Sequence, residues 1–374
     1  MEKQSVGLVT YYQNNLGGCL QAYALQQSIK KLGYNCDIIR YDINVDRKGA
    51  TFFQKLSFLL HFRKNRQFAK DLAAFNQSAA AFDRFREQHL LFSPNEPKKA
   101  LEYYHMDFPY DAFVCGSDQI WNPELTDFCS PVYFLDFVPD GVLKIAYAPS
   151  IAVSSIKTKY QKDFIRFVER FQSVSVREPE GTHIVNTLTN QKAITVLDPT
   201  LLLEAADYEK LITSDSPKED YIFCYAFGDG DHIQKAKEEL KQKTGLPIKC
   251  IPYQPRELYS EDEKIANAGP CEFLSLIKHA KYVITDSFHA TVFSINFKVP
   301  FFTFIRQHGN KKANMSSRIS GILGQLGLEE RILSAETKLP LDSHIDFEQV
   351  HEKLRELKGE SLEYLKNSLQ KGLQ

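Results

Sequence analysis

The chain has 374 residues, too long for one ordinary domain and suited to two α/β domains of roughly 150 to 200 residues each. Its 46 Lys and Arg nearly balance 47 Asp and Glu, so it lacks the basic signature of a nucleic-acid-binding protein, and no nucleic-acid partner is expected. Its apolar runs, such as Val299-Pro-Phe-Phe-Thr-Phe-Ile305, are far shorter than the roughly 20 residues that cross a bilayer, and Met1-Glu-Lys-Gln-Ser5 has no signal-peptide character. A soluble or peripheral cytoplasmic protein is expected, its seven cysteines free thiols because none forms a CxxC pair.

The first half alternates strand and helix. Val6 to Thr10 reads as a strand, and Ala22, Leu25, Ile29 and Leu32 then fall on one helical face that stops at Gly33. Cys36 to Tyr41 is the next strand, which completes a βαβ unit with parallel strands. Further strands are expected at Asp111 to Cys115, Lys144 to Ala148, Ser173 to Val176 and Ile194 to Leu197, with a helix over Tyr160 to Phe171. About residues 52–92 read as a helical insertion. Within it Lys55, Arg63, Lys64, Arg66 and Lys70 interleave with Leu56, Phe58, Leu59, Leu60, Phe62 and Phe68 without an acid. Such a segment can sit on an anionic membrane face, here through about 55–70, or pack as a solvated helix on its own domain.

The polar stretch Thr213-Ser-Asp-Ser-Pro-Lys-Glu-Asp220 reads as a boundary. Beyond it strands are expected at Tyr221 to Ala226, Pro247 to Ile251, Tyr282 to Thr285 and Phe301 to Phe304, with helices near 231–242, 271–280, 289–297 and 317–326. The expectation is an α/β chain of two doubly wound, Rossmann-like domains facing a cleft: 1–205, 206–345, and a helical tail over 346–374. Ligands would then lie at the carboxyl ends of strands.

Four constellations sit at such ends. Asn14-Asn15-Leu16-Gly17-Gly18 precedes the first helix, where backbone N–H groups and the helix dipole favour an anion, though a plain tight turn explains it equally. In Phe113-Val-Cys-Gly-Ser-Asp-Gln-Ile-Trp-Asn-Pro123, Asp118 is the best general acid or base, with a simple helix cap as the alternative. Arg177 follows a strand in Ser173-Val-Ser-Val-Arg-Glu178 and can grip a phosphate or carboxylate, or pair structurally with an acid. In Val283-Ile-Thr-Asp-Ser-Phe-His-Ala-Thr-Val-Phe-Ser294, His289 falls in the first turn of a helix beginning near Asp286 or Ser287. From Ser287 to Leu328 there is no acid but there are Lys298, Arg306, Lys311, Lys312 and Arg318, a one-signed run suited to an anionic ligand. The histidines and cysteines show no metal-ligand spacing, so no metal and no cofactor are expected.

Together Leu16-Gly-Gly-Cys-Leu-Gln-Ala-Tyr-Ala-Leu25, Gly116-Ser-Asp-Gln-Ile-Trp-Asn-Pro123, Ser175-Val-Arg-Glu178, Asp198-Pro-Thr-Leu201 and Thr285-Asp-Ser-Phe-His-Ala-Thr-Val-Phe-Ser-Ile295 resemble the polysaccharide pyruvyl transferase family, in family order. The resemblance implies a GT-B-like fold, phosphoenolpyruvate as donor, and a saccharide acceptor, often a lipid-linked intermediate made at the inner membrane face. It also implies that His289 and Asp118 share the proton transfers, that Arg177 and Arg306 grip the donor, and that Asn15, Gly17, Gly18, Ser117, Gln119, Trp121, Glu178, Asp286 and Ser287 line the substrate site. Ser287 is a departure, since some members carry Arg two positions before the His. The competing expectations are a glycosyltransferase using a nucleotide sugar on the same scaffold and a non-catalytic saccharide-binding protein.

Overall fold

In the computed structural model the described residues are 3–41, 66–97, 99–124, 130–212, 217, 219–228, 231–253, 260–305, 315–334, 339–341 and 343–371, with the backbone alone described for 66–77 and 315–317. The first half runs β1 (Ser5–Val9), α1 (Leu16–Lys31), β2 (Asn35–Ile38), α2 (Arg66–His89), β3 (Ala112–Cys115), β4 (Leu143–Ala146), α3 (Thr158–Val168), β5 (Ser173–Val176), α4 (Pro179–Leu188) and β6 (Ile194–Thr195). The second runs α5 (Ala205–Glu209), β7 (Ile222–Tyr225), α6 (Asp231–Thr244), β8 (Ile248–Cys250), β9 (Glu263–Lys264), α7 (Pro270–Lys278), β10 (Tyr282–Thr285), α8 (Phe288–Asn296), β11 (Phe301–Phe304), α9 (Met315–Leu326), β12 (Ile332–Leu333) and α10 (Phe347–Gln370).

Each half builds one six-stranded parallel sheet, ordered β2-β1-β3-β4-β5-β6 and β12-β11-β10-β7-β8-β9. Parallel sheets are covered on both faces, which is why β3, β5, β7 and β11 are buried along their whole length and read as continuous apolar or small-residue runs. The strand order reverses between β1 and β3 in the first sheet and between β7 and β10 in the second. Those switch points are where open α/β sheets hold ligands, and the four loops leaving them carry Asn15, Asp118, Phe227 and Ser287. Two Rossmann-like halves facing a cleft are the GT-B-like arrangement expected from the resemblance.

One apolar cluster runs through both halves, containing Leu8 of β1 and Val283 of β10. α10 fastens them further. Its buried Val350, Leu354, Lys358, Ser361, Leu365 and Leu369 recur at helical spacing, and it returns to the first sheet, where Tyr364 Oη donates to Ala146 O and Leu197 N donates to Ser361 Oγ. α2 also spans the halves: Arg86 Nη1 donates to Asn14 Oδ1, and Ser78 Oγ donates to Ala268 O. The basic run expected to touch a membrane, about 55–70, lies outside the described residues over 55–65, and of 66–70 the backbone alone is described. Among the described residues no helix is long and apolar enough to cross a membrane.

α4 is a helix that periodicity did not anticipate. Pro179 and Gly181 suggest a turn, yet Pro at the first helical position costs no hydrogen bond, and Ile184 and Val185 bury its inner face.

Candidate active site

The buried strand β5 ends at Val176 and delivers Arg177 and Glu178 to the cleft just before α4. Arg177 is ringed by carboxylates. Its Nη1 donates to Asp198 Oδ2 at 2.5 Å, its Nε donates to Glu178 Oε1 at 3.3 Å, and its Nη2 lies 3.8 Å from Asp118 Oδ1. Burial alone would lower the proton affinity of Arg177, but Asp198, Glu178 and Asp118 raise it further, so the guanidinium stays charged.

Asp198 links the two halves. Its Oδ1 accepts from the backbone N and the Oγ1 of Thr200, at 2.9 and 2.6 Å, which fixes the carboxylate plane. Its Oδ2 then faces Arg177 and stands 3.9 Å from His289 Nε2, which comes from α8 in the second half. Burial pushes the Asp198 carboxyl up, but Arg177, His289 and Thr200 together hold it below the usual range. Burial lowers the His289 imidazole, with Arg177 and Arg318 adding to that and Asp198 and Asp118 opposing it, so the ring rests neutral at pH 7.

Ser117 and Ser150 brace the ring of acids. Ser117 N donates to Gln21 Oε1, and Ser117 Oγ donates to Ala148 O at 2.7 Å and lies 3.4 Å from Asp198 Oδ2. Ser150 Oγ donates to Glu178 Oε1. The bracing leaves Arg177 Nη2, Glu178 Oε2 and His289 Nε2 buried without a hydrogen-bond partner. Buried polar atoms are nearly always paired, so three such atoms around one centre mark a place built for a polar ligand. Beside it opens a small cavity whose wall includes Arg177, Glu178, Asp198, Phe288, Arg318 and Gln325.

The other expected site residues divide by role. Gly17 lies against the His289 ring, whereas Asn15 is the N-cap of α1 and accepts from Gly18 N at 2.8 Å. Ser287 caps α8 in the same way, accepting from Ala290 N. The Asp286 carboxylate accepts from Phe227 N and Gly228 N and so ties the β7 loop to the β10 loop. Gln119 accepts from Asn122 Nδ2 beside the centre. Trp121 was expected to line the substrate site, but its indole is sealed in the core, stacked on Phe134 with Nε1 donating to Tyr133 O. A large apolar ring packs there at no cost because its one polar atom has a partner. Arg306 lies outside the described residues. Asp198 received no role from the sequence, and Arg318 only a place in the one-signed basic run after Ser287. For Asp198 the signal was present: a lone acid between Val196-Leu197 and Pro199-Thr-Leu-Leu.

Among the described residues no group of three His, Cys, Asp or Glu is arranged to hold a metal ion. The family model for polysaccharide pyruvyl transferase matches residues 15–308, most of the chain. The chain belongs to the polysaccharide pyruvyl transferase family. The matched span includes Asp118, Arg177, Glu178, Asp198 and His289, so all the charged groups facing Arg177 fall within what the family model describes, and Arg318 lies beyond it. A search of the curated proteins finds no match. Among solved structures this pyruvyl transferase relative is similar to a UDP-N-acetylglucosamine 2-epimerase from Rickettsia bellii (10% identity, 97% of this chain and 98% of that one, TM-score 0.43). It is also similar to a UDP-GlcNAc 2-epimerase from Methanocaldococcus jannaschii (13%, 95% and 92%, 0.45) and to the glycosyltransferase SnogD from Streptomyces nogalater (13%, 96% and 95%, 0.43). Likeness at that level says nothing of activity.

Proposed function

We propose that this transferase moves the enolpyruvyl part of phosphoenolpyruvate onto two hydroxyls of a saccharide, forming a pyruvate ketal and releasing phosphate. The observation that carries the reading is the convergence, in a chain of this family, of Arg177, Asp118, Asp198 and His289 around three unpartnered buried polar atoms.

The chemistry asks for four things. A proton goes to the methylene carbon, the central carbon then carries oxocarbenium-like charge, two hydroxyls add to it in turn, and phosphate departs. Of the two hydroxyl protons, one ends on the new methyl group and the other on phosphate. A neutral imidazole suits the removal of a hydroxyl proton, and Asp198 and Asp118 then stabilise the imidazolium that forms. Asp118, whose Oδ1 lies 3.8 Å from Arg177 Nη2, is assigned to deliver the methylene proton. The carboxylates around Arg177 favour positive charge at the central carbon, which is what the transition state develops. Acid-base help of this kind is worth about 10² to 10⁴-fold, and positioning supplies more.

The acceptor is proposed to be a sugar within a polysaccharide or lipid-linked saccharide, and the setting cytoplasmic. Thermal shift separates the donor reading from a nucleotide-sugar enzyme. Phosphoenolpyruvate is expected to raise the melting temperature and a panel of nucleotide sugars to leave it unchanged; the reverse pattern overturns the reading.

A further inference from the structure

Glu178 stands immediately before α4, where a polar side chain usually turns back to cap the helix, yet its carboxylate makes no capping bond. It faces the charged centre instead. Ser150 Oγ and Arg177 Nε both donate to its Oε1, and Ser150 N donates to Asp118 O at 2.7 Å, so the carboxylate is held in one plane and tied to the acid that faces Nη2 of Arg177. Its Oε2 is buried and, among the described residues, has no hydrogen-bond partner. A carboxylate fixed through one oxygen with the other unused is a preorganised acceptor.

The polarity of the three unpartnered atoms decides which ligand each can take. Arg177 Nη2 only donates, His289 Nε2 donates or accepts according to its tautomer, and Glu178 Oε2, as a carboxylate oxygen, only accepts. The phosphate and carboxylate oxygens of phosphoenolpyruvate are acceptors too, so the donor has no hydrogen to give Oε2 and its charge is repelled there. A saccharide hydroxyl has an O–H to donate. Asp118 and Asp198 add further acceptors around Arg177, and an excess of acceptors over donors is the complement of a polyol.

We propose that Glu178 binds the acceptor, its Oε2 taking a hydrogen bond from one of the two hydroxyls that become the ketal oxygens. The assignment rests on the phosphoenolpyruvate reading and separates, within one centre, the atom that serves the saccharide from those that serve the donor. Glu178, Arg177 and Asp198 share the wall of the small cavity, so a hydroxyl held on Oε2 lies inside the charged centre. A site built around a buried acceptor rejects a ligand that lacks the matching O–H, because the carboxylate is then left desolvated and unpaired. A free hydroxyl at that place is therefore a condition of binding as well as of reaction.

The test compares wild type with Glu178→Gln, by calorimetric titration with phosphoenolpyruvate and by phosphate release with a panel of methyl hexopyranosides bearing free 1,2- or 1,3-diols. In Glu178→Gln the amide oxygen keeps the bonds from Ser150 and Arg177, so its NH2 stands where Oε2 was and an acceptor becomes a donor. The KM of the glycoside used best is expected to rise about tenfold or more, while phosphoenolpyruvate binds as tightly as to wild type or more tightly. Weaker phosphoenolpyruvate binding in Glu178→Gln, or an unchanged glycoside KM, overturns the assignment and leaves the donor reading standing. A wild type that binds no phosphoenolpyruvate overturns the donor reading and this assignment with it. Should Glu178→Gln not fold, two inhibitors of the wild type give the comparison, the glycoside deoxygenated at one or at the other hydroxyl of the diol. One is expected to inhibit about tenfold more weakly than the other, because a hydrogen bond to a carboxylate is worth more than one to a neutral imidazole; equal inhibition overturns the assignment.

Discussion

Any residue other than glycine at position 17 would put its Cβ 1.9 Å from Nδ1 of His289, so the first turn of α1 and the imidazole of α8 meet with no room for a methyl group. The contact joins the two halves at the point where the chemistry is assigned. Gly17→Ala therefore displaces the ring, and turnover is expected to fall about 100-fold because a misplacement of about 1 Å is enough to do so. Overpacking costs about 1–3 kcal/mol of stability. Steady-state rates beside circular dichroism check this; a folded Gly17→Ala enzyme with wild-type turnover removes the ring position from the account.

The depressed proton affinity of His289 fixes the sign of two pH effects. Below an ordinary imidazole value of about 6.5 the unfolded chain takes up a proton before the folded one does. This contribution to stability is thus full above that pH and is lost as pH falls through the folded value. The acid limb of kcat/KM is expected to have its midpoint below about 6.5, and a midpoint above it contradicts the neutral resting ring.

Asp198→Asn keeps an acceptor for Thr200 but removes the charge shared by Arg177 and His289. Breaking a buried pair from one side costs about 3–5 kcal/mol, and the lower end is expected here because Glu178 and Asp118 still face the guanidinium. Urea unfolding measures the loss. Turnover is expected to drop about 100-fold or more as the imidazolium loses its partner. Because the Asp198 carboxyl is held below its usual range, the stability it contributes is present above about pH 4 and lost as pH falls.

Trp121 separates packing from binding. Its burial against Phe134 makes Trp121→Ala cost about 3–5 kcal/mol, whereas Trp121→Phe is expected to leave the donor KM within about twofold of wild type. A large rise in KM for Trp121→Phe with unchanged stability would return the indole to the substrate site.

The alternation of strand and helix was legible because parallel strands buried on both faces leave continuous apolar runs. β5 and β10 stand where that pattern put them. The loops after those strands could be singled out for the same reason, since polar residues that interrupt such runs sit at strand ends. Partnership was not legible. Nothing local to Asp198 says that it faces both Arg177, 21 residues before it, and His289 from the other half, and nothing local to Trp121 says that Phe134 covers it. Asn15 and Ser287 looked like ligand-facing polar residues because a helix cap and an anion site use the same residue types at the same place. α4 was missed because Pro179 signals a break within a helix and a start at its first position.

The central claim is that the Arg177–Asp198–His289 centre turns phosphoenolpyruvate and a diol into a ketal. Mass spectrometry of a lipid-linked or synthetic glycoside incubated with phosphoenolpyruvate tests it most directly, with wild type and His289→Ala side by side. The expected result is a product heavier by pyruvate less water, one phosphate released for each, and almost none of either with His289→Ala. Undiminished ketal formation by His289→Ala contradicts the account, and so does consumption of a nucleotide sugar while phosphoenolpyruvate remains intact.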